Sequence, residues 1–137
     1  MEAAAAGLPV EMTLLGWSVI LLIVHIIVQS GAATRETGLD YNASPRDEGN
    51  KAWGVMAGRS SRALKNFLET YPAFVAMALA LAVTDKTGGL GAIGAHVWFW
   101  GRIVYLPLYL FGIPYIRSIV WMISVGGILL MLWALFF

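Results

Sequence analysis

Residues 59–84 read RSSRALKNFLETYPAFVAMALALAVT, a polar entry followed by an uncharged apolar run. Arg59, Arg62, Lys65, Asn66 and Glu69 crowd the first eleven positions, and after Glu69 no charged residue appears before Asp85. The run from Ala63 to Thr84 has the length that a helix rising about 1.5 Å per residue needs to cross a ~30 Å hydrocarbon layer. A charged group at bilayer depth costs upward of about 2.5 kcal/mol unless it is paired or wetted. The polar residues must therefore pair with one another or line a water-accessible hollow.

Working outward, three more apolar runs of similar length appear: Pro9 to Ser30, Gly91 to Phe111 and Tyr115 to Phe137. The chain has 137 residues, 59% of them hydrophobic and 12% charged, too apolar for a soluble domain of this size to hide. The expected fold is an all-α membrane protein, a four-transmembrane-helix bundle with helices at 9–30, 63–84, 91–111 and 115–137. The first run is read as a retained helix rather than a secretory signal, because its amino end carries Glu2 and Glu11 and no basic residue, and because it is long for a signal's apolar core. No internal repeat is visible.

The segment 31–62 is the one long polar stretch and holds Arg35, Arg46, Lys51, Arg59 and Arg62. Basic residues near membrane ends favour the cytoplasmic side, so this loop is expected in the cytoplasm. By alternation the DKTGG turn lies outside, the GIPYIR turn with Arg117 lies inside, and both termini lie outside. Residues 42–44, Asn-Ala-Ser, match a glycosylation sequon, which the cytoplasmic placement and the following Pro45 discount.

Composition excludes several classes. There are no cysteines, hence no disulfide, no thiolate metal site and no cysteine nucleophile; any thiol chemistry must use a thiol brought by a substrate. A net charge of +1 without a basic run gives no field for nucleic acid. GLGAIGAH enters a helix with no strand before it and carries no nucleotide signal. His25 and Gln29 share a helix face, but nothing nearby has metal-ligand spacing, so His25 reads as a hydrogen-bonded core histidine and no metal is expected.

On an ideal helix Arg59, Arg62, Asn66 and Glu69 fall within an arc of about 80°, with Lys65 beside it. That stripe has a bland reading too: Lys65 and Glu69 are an i, i+4 pair, and Asn66 is ordinary interhelical glue. Arg102, Tyr105 and Tyr109 share a narrow face of the third run, with Pro107 between the tyrosines. Arg102 lies halfway along its run and is expected to pair with Glu69 or another acid. Arg117 and Ser118 open the fourth run, where a lone arginine is ordinarily an interfacial anchor. Donors from three helices nevertheless converge with one carboxylate, which suits a small zwitterionic guest. A different class stays open, a proton-coupled exporter carrying a cationic drug on Glu69; Arg62, Lys65 and Asn66 around it argue for a charged carboxylate instead. A non-catalytic membrane protein that keeps the same hollow is the third reading.

RSSRALKNFLETYP (59–72) resembles the R-x-x-R-A-x-x-N-x-x-E signature of the membrane-associated proteins in eicosanoid and glutathione metabolism, the MAPEG family. GRIVYLPLYLFGIPYIRS (101–118) resembles the same family's third helix, turn and final arginine. The resemblance is to a bacterial-type member. It implies a homotrimer, glutathione held between neighbours as substrate or cofactor, and lipophilic electrophiles as co-substrates. By position it implies that Arg62, Lys65, Asn66, Glu69, Tyr105 and Tyr109 bind glutathione, that Arg117 aided by Ser118 activates its thiol, and that Trp121 is an aromatic neighbour of the sulfur. Arg59 and Arg102 would be supporting residues, and the setting would be a bacterial inner membrane.

Overall fold

The computed structural model describes residues 7–40, 44–45 and 54–137. They form four helices: α1 (Val10–Thr37), α2 (Val55–Val83), α3 (Gly89–Leu110) and α4 (Ile116–Phe136). No strand occurs among the described residues. Arg46, Lys51 and the first two sequon residues lie outside the described residues.

Two helices outrun the expected boundaries. α1 continues through the small, helix-tolerant QSGAATRET stretch to Thr37, and α2 starts at Val55 instead of Ala63. The link expected to span 31–62 shrinks to 38–54. The cause is a cap supplied by another helix: the Glu36 carboxylate near the end of α1 accepts from Gly54 N at 2.6 Å and Ala57 N at 3.2 Å. Those are donors with no intrahelical partner in the first turn of α2, and the negative charge also suits that end of the helix dipole. Glu36→Ala should therefore fray the first turn of α2 at a cost of about 1 kcal/mol. Faster amide exchange confined to residues 54–58 is the expected readout; unchanged exchange there would contradict the cap.

α2 and α3 form the middle of the bundle, with α1 and α4 on opposite flanks; among the described residues α1 and α4 do not meet. The core is aromatic. Trp98 stacks on Phe74 with ring centroids 4.0 Å apart and lies parallel to Tyr71 at 5.9 Å. Tyr71 is tied to α1 by a 2.9 Å hydroxyl contact with Ser18. α3 and α4 approach most closely through small residues. A Cβ on Gly127 would stand 2.5 Å from the Gly94 carbonyl oxygen and 2.7 Å from Trp98 N, and one on Gly101 would meet Ser124 Cβ at 2.8 Å.

Outward faces of α1 and α4 are apolar, including Ile20, Ile23 and Ile27 on one and Ile119, Ile123 and Leu129 on the other. That is the inverse of a soluble bundle and suits hydrocarbon solvent. α1, α2 and α4 are each long and apolar enough to cross a membrane. α3, at 22 residues, has the length, but His96, Arg102 and its glycines lower its apolar average. It packs against all three other helices, burying Trp98 and Arg102 fully while Ile93, Trp100 and Val104 face outward.

At the end of the bundle where α1 begins, Glu11 is buried and its Oε2 accepts from Gly88 N at 2.9 Å, capping α3. Lys86 Nζ donates to the Leu135 carbonyl at 2.8 Å. The α2–α3 turn is thus clasped to both flanking helices.

Candidate functional site

The polar residues gather at the other end, around two hollows. One, of about 450 Å³, is lined by Asn66, Tyr105, Tyr109, Arg117, Ser118, Trp121 and Met122. The other, also about 450 Å³, is lined by Gln29, Ser61, Leu64, Lys65, Leu68 and Glu69. The stripe on α2 is therefore divided. Asn66 faces α3 and α4, whereas Lys65 and Glu69 stand beside Gln29 of α1. The division follows from the packing: α2 has α1 on one side and α3 with α4 on the other, and the boundary runs along the 80° arc.

Helical period and one turn build the first hollow. Tyr105 and Tyr109 are one helical turn apart on α3, with ring centroids 5.7 Å from each other. The chain then reverses through Gly112, whose φ of 69° suits a residue without a Cβ, and Tyr115 at φ 25° precedes α4. This returns Arg117 to α3, its guanidinium carbon 4.5 Å from the Tyr109 ring centroid. On the inner side Arg102 lies 4.3 Å from the Tyr105 ring centroid. The order is cation, aromatic, aromatic, cation, and each ring face attracts the guanidinium beside it.

Arg102 is fully buried. Its Nη1 donates to Asn66 Oδ1 at 2.8 Å, and among the described residues its Nε and Nη2 have no partner. The expected pairing with Glu69 is replaced by this amide, because Glu69 lies in the other hollow. Arg59 is committed elsewhere: its Nη1 donates to the Leu110 carbonyl at 3.2 Å and its guanidinium covers Gly112, bracing the α3–α4 turn. Arg62 is exposed and folds back over Gly58. His25 is a core residue, 1% exposed, but it is not hydrogen-bonded among the described residues. Its ring packs on Phe67 at 4.7 Å instead.

Arg117 makes no hydrogen bond or ion pair among the described residues and is only partly exposed. Ser118 beside it is exposed. A cation held in place by an aromatic face, next to a hydroxyl and without an acid to neutralise it, is a ready site for an anion. Gln29 in the second hollow and Met122 in the first were not singled out as site residues from sequence. The i, i+4 pattern that placed Gln29 with His25 was a usable signal for Gln29, whereas nothing distinguished Met122 from other apolar residues of α4.

The model of the MAPEG family matches residues 14–137, nearly the whole chain. The chain belongs to the MAPEG family. No curated protein and no solved structure matches it. As a MAPEG protein with three helices long and apolar enough to span a bilayer, it is an integral membrane protein. Membership in this glutathione-associated family also supports a membrane transferase-like or peroxidase-like function in general terms. The family match includes both the α2 stripe and the α3–α4 turn that shape the two hollows.

Proposed function

We propose that this MAPEG protein is a glutathione-dependent transferase or peroxidase that activates the glutathione thiol with Arg117 for attack on lipophilic electrophiles. The observation that carries the reading is the Arg117 guanidinium, stacked on Tyr109, without an acid partner among the described residues, at a hollow of about 450 Å³. A free thiol has a pKa of about 8.5 and is mostly protonated at neutral pH. Arg117 stabilises the thiolate because it cannot lose its own proton, and Ser118 donates a second hydrogen bond to the sulfur. The thiol proton leaves to solvent, the thiolate forms a carbon–sulfur bond with the electrophile, and the leaving group departs with the electron pair. No covalent enzyme intermediate is required.

Asn66, Tyr105 and Tyr109 supply further polar contacts in the Arg117 hollow. Arg62, Lys65 and Glu69 take part in the second hollow and at its rim, Glu69 holding the guest's amine and the cations its carboxylates. Because the two groups of side chains face different sides of α2, one guest meets both groups when neighbouring copies bring unlike hollows together. This supports the homotrimer that the family resemblance implies. Trp121 and Met122 give the hollow an apolar wall towards the outward face of α4, the side from which a lipid-dissolved electrophile enters. The exporter reading is weaker, because Glu69 is exposed beside Lys65, not sequestered as a proton carrier would be.

Native mass measurement in detergent tests the assembly and the ligand together. The expected result is a trimer that gains glutathione mass. A monomer, or a trimer that retains no glutathione at millimolar concentration, would contradict the proposal.

A further inference from the structure

Arg102 is hard to explain as packing. A guanidinium with 0% exposure and two unpartnered nitrogens among the described residues carries a desolvation cost that an apolar side chain of similar length would avoid. Its stacking on Tyr105 and its 5.5 Å approach to the Phe67 ring offset only part of that cost. Its one hydrogen bond among the described residues goes to a residue that lines the Arg117 hollow.

That bond has a directional consequence. Asn66 carries one carbonyl oxygen and one NH2 group. Arg102 Nη1 occupies the oxygen at 2.8 Å, and no described residue accepts from Nδ2. An unconstrained amide can turn over and offer either end to a ligand, but an arginine has no acceptor, so the reversed amide would set donor against donor. We propose that Arg102 is a positioning residue that locks the Asn66 amide with its two N–H groups available to the hollow. With the Arg117 guanidinium and the Ser118 hydroxyl, the hollow then meets its guest with donors. It selects a carbonyl or carboxylate at that point and turns away an amine. The ligand class rests on the proposed thiol-peptide function; the orientation of the amide does not.

The chain contains three asparagines, Asn42, Asn50 and Asn66, so asparagine-selective 15N labelling of the full chain in detergent gives three side-chain NH2 pairs. Asn66→Ala identifies one of them by its loss. In Arg102→Met the Asn66 pair should move, and the glutathione dissociation constant should rise about 10- to 100-fold, the worth of a hydrogen bond to a charged group. Asn66→Ala should weaken binding by the same factor, and the double variant should weaken it no further, because one change acts through the other. Arg102→Lys, which keeps N–H donors for Asn66 and offers no acceptor, should stay close to wild type in both readouts. It carries the test if Arg102→Met does not fold.

An Asn66 pair unmoved in Arg102→Met, multiplicative losses in the double variant, or an Arg102→Lys loss as large as that of Asn66→Ala would each overturn the proposal. A wild-type chain that binds no glutathione, while its Asn66 pair responds to Arg102→Met and returns in Arg102→Lys, upholds the positioning role and removes the thiol-peptide reading instead.

Discussion

Arg117→Ala is expected to lower kcat/KM for glutathione conjugation by about 10²- to 10³-fold at neutral pH, the range for removing one preorganised donor from a developing or resident anion. The loss should appear mainly in kcat, because the contacts proposed for Lys65, Glu69 and Asn66 with the tripeptide remain. It should also shrink as pH rises. In the variant the bound thiol reverts towards its free pKa of about 8.5, so alkaline solution restores thiolate without help from the protein. On the proposed mechanism the wild-type thiolate is already formed at neutral pH, and the rate should change little over the same interval. Arg117→Lys should fall between the two. It keeps the charge but loses the planar group that lies on Tyr109.

The second large effect concerns stability. Trp98→Ala is expected to cost about 3–5 kcal/mol, the usual range for emptying a large aromatic site. Trp98 is fully buried and is the common neighbour of Phe67, Tyr71 and Phe74. Within a bilayer helix association depends on close contact and not on withdrawal from water, so an unfilled space there forfeits dispersion directly. Trp98→Phe should recover most of the loss. Thermal unfolding in a fixed detergent, followed by near-ultraviolet dichroism, reads the difference. A Trp98→Ala transition within a degree or two of wild type would contradict this account of the core.

That Tyr105, Tyr109 and Arg117 line one hollow is legible in the sequence, for a simple reason. Tyr105 and Tyr109 are related by one helical turn, and Arg117 is brought back by a short link containing Gly112 and Pro114. Local periodicity and a tight reversal therefore sufficed to join them. The stripe on α2 is legible as a stripe, but its division between two hollows is not, since that depends on which helix packs on each side. Arg102 shows the same limit: its burial followed from its place halfway along a run, while its partner, Asn66 instead of Glu69, depended on how α2 is rotated. Helix ends were misjudged where the cap came from far away, as Glu36 does for α2. His25 was placed in the core correctly, but its contact is the face of Phe67 rather than a hydrogen bond, a choice that no i, i+4 pattern encodes.

The claim on which the functional reading depends is that the Arg117 guanidinium converts a bound thiol into a thiolate. The direct measurement is ultraviolet thiolate absorbance of glutathione added to the purified protein at neutral pH, with Arg117→Ala as the comparison and ligand binding confirmed by mass in both. The account predicts a thiolate signal in wild type, displaced to alkaline pH in the variant. Equal thiolate in the two proteins, or bound glutathione with no thiolate in wild type, would contradict it.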